Sequence, residues 1–589
     1  DEWKNVGSLI KQLEAQGAVR VEKRQVLRDP HLNEEFLPSE NLLLTEQQQV
    51  VYEKVIKAIE TPQQAKPILL FGVTGSGKTE VYLQAIRYVI NLGKTALVLV
   101  PEISLTPQTI ERFKSRFFER KERIAVLHSH LSEGERHDEW FKIHNGGADI
   151  VIGARSAIFC PLENIGLIIV DEEHESSYKQ EEAPRYHARD LAVVRAKQMK
   201  AAVLLGSATP SLESYLNTIE GKYEVVQMTT RTDGKSMPLV RTIDMRMQRK
   251  KGTGTSEENA SMLSEKLRDA VQLRLDKNEQ VILFLNRRGY HTSLLCEDCG
   301  ETHQCTSCAV AMTYHKKVQL MVCHVCGAKQ RKPSHCVSCG SKSLKFVGTG
   351  TERVEKAVRE IFPQARIQRV DTDTMARKNQ LKETLMSFRA RKIDILIGTQ
   401  MIAKGLDFPN VTLVGVLNAD ISLGMPDFRA SERTTQLLIQ VAGRAGRGDI
   451  RGEVFIQTYT PHHPSIQFSR HNDFVGYATQ ELELRKSLLY PPYVQMILIS
   501  CRSKDAVKAE SVLQQVHHRI AENLSSRMML NEPMPSSLSK AKGEFRYQML
   551  VRGEKMTEMT KIIRKALKEF DVNRGVQINC DVNPYQLSQ

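Results

Sequence analysis

Residues 72–79 read GVTGSGKT, set between the apolar run Ile68, Leu69, Leu70, Phe71 and a helix-forming stretch over 80–90. A buried strand, a glycine loop and a helix in that order build an anion site, because small residues let successive backbone N–H groups face phosphate at a helix N-terminus. In the pattern GxxxxGK[ST], Lys78 is expected to meet the β and γ oxygens of ATP and Thr79 the Mg²⁺. Gly72, Thr74, Gly75, Ser76 and Gly77 would form the cradle. A glycine-rich surface turn is the bland alternative, and it leaves the flanking strand and helix without a purpose.

Working outward, apolar strands alternate with helical segments from about 38 to 230: 68–71, 96–100, 150–153, 167–170 and 203–205. Runs without a polar face indicate a parallel sheet covered on both sides. A second series follows at 281–285, 367–370, 393–397, 412–417 and 453–457, which predicts a second α/β lobe over 231–460. Arg231 to Glu258, polar and weakly periodic, reads as the interlobe linker and its surroundings. From 461 to 589 the pattern predicts a small βαβαβ-like C-terminal domain, with strands at 495–502, 545–551 and 576–582. The first 37 residues hold an amphipathic pattern (Val6, Leu9, Ile10, Leu13) and a strand-like piece over 18–24, too little to fold alone.

A chain of 589 residues carrying a net charge of +14 exceeds one core and suits a polyanionic partner. No run of about 18 apolar residues occurs, so neither a membrane span nor a signal peptide is expected, and a cytoplasmic protein follows. Eight of the 11 cysteines fall between Cys296 and Cys339 as four CxxC pairs. Such clustering points to metal, not to a secreted disulfide scaffold. Cys296, Cys299, Cys305, Cys308, Cys323, Cys326, Cys336 and Cys339 supply two sets of four thiolates, the ligand count of closed structural Zn²⁺, with iron–sulfur and redox chemistry as alternatives. The 14 residues between Cys308 and Cys323 carry two alternating apolar runs around His315, Lys316 and Lys317, which predicts a hairpin. The pairing is therefore expected to be nested, 305/308 with 323/326 inside and 296/299 with 336/339 outside.

Gly166 to His174 reads GLIIVDEEH, an apolar strand delivering carboxylates at its C-terminal end, where ligands of parallel sheets bind. Asp171 is expected to hold the metal and Glu172 to activate water. LGSATP at 205–210 places Ser207 and Thr209 after another buried strand, where hydroxyls could link phosphate state to a bound polymer. In QVAGRAGRG at 440–448, Arg444 and Arg447 lie three apart on one helical face, and one or both would act as arginine fingers.

These residues resemble the superfamily 2 helicases and, within them, the PriA family of replication-restart DNA helicases. The resemblance rests on GVTGSGKT, PEISLTPQ (101–108), GARSAIFCP (153–161), DEEHESSYKQ (171–180), RYHARD (185–190), GSATPS (206–211), NRRGY (286–290), GTGTERVE (348–355), GTQMIAKGLDFPNV (398–411), QVAGRAGRG, the CxxC pairs and YPPY (490–493), and it covers nearly the whole chain. It implies two RecA-like parallel-sheet lobes, a zinc-binding module inserted at 296–340 and a small α+β C-terminal domain. The first 37 residues would be the last portion of a winged helix. Since the chain starts at Asp1 without Met, a preceding domain that binds a 3′ DNA end is expected to be missing.

By the same resemblance Gln47 reads adenine, with Gln48 as the fallback. Tyr178, Tyr186, His187 and Arg189 would form an aromatic-rich DNA-sensing loop, and Ser104, Thr106, Arg155, Thr399 and Lys404 would touch the DNA backbone. The implied activity is ATP-driven 3′ to 5′ unwinding that opens the lagging arm of a fork and helps reload the replicative helicase. Implied partners are forked and single-stranded DNA, single-strand DNA-binding protein and other primosome proteins, around a monomer located at the bacterial nucleoid. Two other readings share the motifs: a zinc-containing fork-binding scaffold with a nucleotide switch, and a double-strand translocase.

Overall fold

The computed structural model describes residues 6–21, 36–102, 107–129, 131–249, 262–285, 293–315, 318–346, 351–371, 380–399, 402, 408, 410–446, 450–541, 543–568 and 575–587. The first lobe is a parallel sheet of β1 (Ile68–Gly72), β2 (Thr95–Leu99), β3 (Ile124–Leu127), β4 (Ile150–Gly153), β5 (Ile165–Asp171), β6 (Ala202–Ser207) and β7 (Glu224–Met228). Their order is β3-β4-β2-β5-β6-β1-β7. The interior strands carry apolar side chains on both faces because helices cover both faces, and the cores on either side are separate clusters. This order sets the carboxyl ends of β5, β6 and β1 side by side, so DEEH, GSAT and the phosphate loop open onto one edge.

The second lobe is a six-stranded parallel sheet, led in sequence by β8 (Leu239–Asp244) and β9 (Gln280–Phe284). Strand β8 corrects the linker expectation, since 239–244 pairs with the lobe's edge at 453–458. Its sequence gives no buried-strand signal because it alternates exposed and buried residues and carries Arg241, the look of an edge strand and not of a buried run. For the same reason β7, with exposed Glu224, Val225 and Gln227, is absent from the expected strands; β3 is absent although all four of its residues are buried, because so short an apolar run carries little periodic signal.

Within this lobe lies the cysteine module: β10 (Leu294–Cys296), β11 (Thr313–His315), β12 (Leu320–Val322), β13 (Lys329–Arg331) and β14 (Leu344–Phe346). Strands β11 and β12 are antiparallel, Thr313 facing Val322, which is the expected hairpin; Lys316 and Lys317 lie outside the described residues. The remaining strands of the lobe are β15 (Ile367–Val370), β16 (Ile395–Gly398), β17 (Val411–Val416) and β18 (Glu453–Thr458), and the order is β15-β16-β9-β17-β18-β8.

Past the second lobe, helices Pro464–Arg470 and Phe474–Ser487 precede the C-terminal sheet. Phe474, Ala478 and Leu482 pack with Leu212 and Leu216 of the first lobe and Ile439 of the second, so the longer helix lies across both. The sheet comprises β19 (Gln495–Ser503), β20 (Met528–Leu530), β21 (Met534–Ala541), β22 (Glu544–Gly553) and β23 (Val576–Val582). It is antiparallel, ordered β20-β22-β19-β23 with β21 on β22, and contains two strands that the βαβαβ expectation lacked. Leu498, Leu550 and Leu587 share a core with Cys305, Cys323 and Val325, so the cysteine module is wedged between this sheet and its own lobe. At the front, 6–15 is helical, but 18–21 forms no strand, and 22–24 lies outside the described residues.

Candidate active site and DNA interface

The phosphate loop is shaped by its glycines. Gly75 and Gly77 sit at φ of 85° and 77°, the left-handed region. A Cβ on Gly77 would run into the Gln48 amide, and one on Gly72 would come 2.7 Å from Ser76 Oγ. Helix Lys78–Asn91 starts directly after Gly77, so the N–H groups of its first turn point into the loop. Lys78 Nζ donates to the Gly72 carbonyl at 2.7 Å, poised across the cradle.

Residues 229–232 cover this loop. Gln47 Oε1 accepts from the Thr229 and Thr230 amides at 2.9 and 3.3 Å, and its Nε2 donates to Thr229 Oγ1. Thr232 N and Oγ1 then donate to the Gly75 carbonyl. Gln48 is buried, takes part in the capping box with Thr45, and donates to the Ser76 and Gly77 carbonyls. Its amide is committed to the shape of the loop, so the fallback adenine role is withdrawn. Gln47 sits at the mouth, and contact with adenine requires it to exchange its threonine partners.

At the end of β5, Asp171 Oδ1 accepts from Tyr82 Oη at 3.0 Å. Burial first, and the neighbouring Glu172 carboxylate second, push Asp171 up to about 6, partly opposed by Lys78. A carboxylate so placed gains from a divalent cation, and Asp171 together with Thr79 fits Mg²⁺ in its preference for oxygen donors. Glu172 adopts φ of 47°, a left-handed conformation that a non-glycine residue holds only when its surroundings impose it. Those surroundings are specific: Glu173 N donates to the Gly206 carbonyl, and the Glu173 side chain accepts from Arg189, Ser211 and Ser214.

His174 carries no sequence signal of its own, yet it is the hub of the site. Buried, it meets Ser207 Oγ through Nδ1 and Gln440 Nε2 through its own Nε2, both at 2.7 Å. An amide nitrogen only donates, so Nε2 accepts and Nδ1–H points to Ser207. Gln440 also approaches Glu172 Oε2 at 3.5 Å. Gln440 begins the QVAGRAGRG segment, so the second lobe reads the DEEH turn directly. A Cβ on Gly443 would come 2.7 Å from Thr74, which fixes how closely that segment packs on the phosphate loop. Arg444 is buried there. Arg447 lies outside the described residues, as do Ser104, Thr106 and Lys404. Thr399 is half-buried just past β16.

The expected DNA-sensing loop needs correction. Tyr178 is fully buried, and its hydroxyl donates to the Leu99 and Asp171 carbonyls, so its ring has no face left for a base. Arg189 is the buried partner of Glu173 at 3.1 Å, not a phosphate ligand. Both His187 ring nitrogens are shielded from solvent, and burial pulls the group down to about 3, so it carries no charge for DNA. Tyr186 and Arg155 fare differently. With Phe159, Ser129, Ser156 and Gln180 they line a cavity of about 300 Å³ beyond the carboxyl ends of β2, β3 and β4. Arg155 also donates to the Ser177 and Lys179 carbonyls, which ties this cavity to the segment following DEEH.

The eight clustered thiols gather as the nested sets Cys296, Cys299, Cys336, Cys339 and Cys305, Cys308, Cys323, Cys326. Sulfur separations are 3.7 Å for Cys296–Cys339, 3.6 Å for Cys299–Cys336 and 3.6 Å for Cys305–Cys326. A disulfide would need about 2.05 Å, whereas the edge of a tetrahedron with Zn–S bonds of about 2.3 Å is about 3.8 Å. The donor sets therefore fit Zn²⁺.

Three family profiles match the chain: DEAD/DEAH box helicase over 47–218, Helicase conserved C-terminal domain over 316–449 and Primosomal protein N C-terminal domain over 486–585. Replication restart protein PriA of Bacillus subtilis is 44% identical over 98% of this chain and 71% of its own length. The proteins of the same name from Chlamydia pneumoniae (40%, over 93% of this chain and 72% of the relative) and Haemophilus influenzae (43%, 88% and 70%) are similar.

Proposed function

The chain belongs to the replication restart protein PriA family and is an ATP-dependent DNA helicase, and on that premise we propose that it moves 3′ to 5′ on one strand of a fork, opens the lagging arm and helps reload the replicative helicase. The observation that supports ATP-coupled movement is the His174–Gln440 contact, which joins the second lobe to the turn bearing Asp171 and Glu172. Thr79 and Asp171 would hold Mg²⁺, which would supply charge neutralisation at the phosphates. The remaining tasks fall to the chain. Lys78 would hold the β and γ oxygens, and Glu172 would take a proton from the attacking water. Arg444 and Arg447 neutralise the charge that develops on the γ-phosphate, and Gln47 contacts adenine.

Hydrolysis loosens the γ-phosphate contacts that draw the lobes together, and reopening advances the strand held beyond β2 to β4. There Tyr186 would stack on a base, and Arg155, with Thr399 and Lys404 of the second lobe, would meet backbone phosphates. Two Zn²⁺, held by the nested cysteine sets, would brace the module between the second lobe and the C-terminal sheet. Partners would be forked and single-stranded DNA, single-strand DNA-binding protein and other primosome proteins, with the protein acting as a monomer in the bacterial cytoplasm at the nucleoid. No helix among the described residues is long and apolar enough to cross a membrane.

The test is ATP hydrolysis and unwinding on forks whose two arms carry different labels, with Lys78→Ala alongside. Lagging-arm release that needs ATP and vanishes in Lys78→Ala is the expected result. Fork binding without DNA-stimulated turnover would favour a scaffold with a nucleotide switch, and release of the leading arm would reverse the direction.

A further inference from the structure

Tyr585 belongs to none of the motifs above, yet it touches both lobes. It lies three residues beyond β23 and is 7% exposed. Its hydroxyl donates to the His174 carbonyl at 3.0 Å, and the His187 ring lies 5.7 Å from its own. Both of those residues are in the first lobe. The guanidinium carbons of Arg429 and Arg433, from the second lobe, sit 5.0 and 5.3 Å from its ring centroid, and Arg433 also donates to its carbonyl. These arginines are themselves held, Arg429 by Glu213 at 2.6 Å and Arg433 by Asp427 at 3.1 Å.

The segment is held on both sides of the ring, upstream to the first lobe and downstream to the C-terminal sheet. Upstream, Asp581 pairs with Lys179 at 2.7 Å, and Lys179 Nζ also donates to the Val582 carbonyl. Downstream, Leu587 is buried and its carbonyl accepts from Gln548 Nε2 of β22. Lys179 follows Tyr178 in the stretch after DEEH, so two separate contacts, at 179 and at 174, join this turn to the end of the chain.

Packing alone does not call for the hydroxyl, since phenylalanine would fill the same space and offer the same ring face to the two arginines. What the hydroxyl adds is a directed bond to the peptide carbonyl two residues past Glu172. That peptide carries the imidazole placed between Gln440 and Ser207, and it follows a residue held at positive φ. A bond at this point restricts the rotation by which the turn could relax away from the Gln440 contact.

We infer that Tyr585 is a positioning residue: it holds the Glu172–His174 turn in register with the second lobe and so couples the seating of the C-terminal sheet to ATP hydrolysis. The inference rests on the helicase reading only for the step that is coupled. The contact itself is independent of it.

The experiment compares Tyr585→Phe with the wild-type chain in DNA-stimulated ATPase, fluorescent ATP-analogue binding, DNA anisotropy, thermal melting and hydrogen exchange. Tyr585→Phe is expected to lower kcat about five- to tenfold, with KM for ATP and DNA affinity within about twofold and melting within about 1 °C. Exchange should quicken in peptides spanning 172–180 but not in helix 78–91. Asp581→Ala should act in the same direction, and the double variant should fall short of the product of the two effects. Unchanged kcat and exchange in Tyr585→Phe would overturn the inference, as would a loss confined to KM or matched by a general drop in melting temperature. If the wild-type chain showed no DNA-stimulated turnover while Tyr585→Phe still quickened exchange at 172–180, the helicase reading would fall and the coupling would stand.

Discussion

The φ of 47° at Glu172 and the elevated proton affinity of Asp171 mark two adjacent residues that the fold holds away from their relaxed states. For Glu172 the expected consequence is kinetic: Glu172→Gln should bind ATP normally and hydrolyse it at least about a hundredfold more slowly, the scale of a lost general base. Equilibrium nucleotide binding beside single-turnover hydrolysis checks it, and lost binding would make the residue structural. For Asp171 the consequence is a pH slope. Its folded-state value of about 6 lies above the ordinary aspartate value, so the folded chain keeps the proton longer, and stability falls as pH rises from about 4 through about 6. In Mg²⁺-free buffer without chelator, which would strip thiolate-bound metal, this group should cost the wild-type chain about 1 kcal/mol between pH 5 and 7.5. Urea unfolding of Asp171→Asn should lack that increment, while its ATPase is lost. Both carboxylates could be read from a strand ending in DEEH, because strand and ligand positions are local in sequence. His174 could have been suspected from the same four letters, but nothing local says that it faces Gln440.

Among the elements, the cysteine module shows how far spacing reaches. The nested sets follow from a hairpin short enough to bring 305/308 onto 323/326, leaving the outer pairs to close around it. The two sets differ in surroundings. Cys308 is buried and its carbonyl accepts from Tyr490 Oη at 3.0 Å, whereas Cys339 is exposed. Cys308→Ser and Cys339→Ser should therefore each lower bound zinc from about two to about one per chain, by elemental analysis. Only Cys308→Ser should also loosen the C-terminal sheet, detected as faster proteolysis in the 461–494 segment. Equal sensitivity in both variants would mean that the inner site does not brace the sheet. Strands β7 and β8 show the limit at this scale: an edge strand is paired on one side and half wet, so its polar positions hide it among linkers.

Across the whole molecule, buried charge joins what the chain separates. Arg485 is 1% exposed and pairs with Glu432 at 2.8 Å and Glu481 at 3.0 Å, while Arg429 of the same cluster reaches Glu213 of the first lobe. Removing one member leaves uncompensated charge, which costs about 3 to 5 kcal/mol in a buried pair. Arg485→Met should accordingly melt well below wild type, and Arg485→Met with Glu432→Gln should recover part of the loss; no recovery in calorimetry would show that the charges do not act as a pair. The phosphate loop, the strand-borne carboxylates, the two parallel lobes and the thiolate sets are legible along the chain, since each is a pattern of a few residues at fixed spacing. That Tyr178, Arg189 and His187 turn inward, that Gln48 serves the loop's shape, and that Gln440 and Tyr585 converge on His174 emerge only from the folded packing. Those outcomes depend on which surfaces the lobes and the C-terminal sheet bury against one another, and burial between residues some 270 to 410 positions apart leaves no periodic trace along the chain.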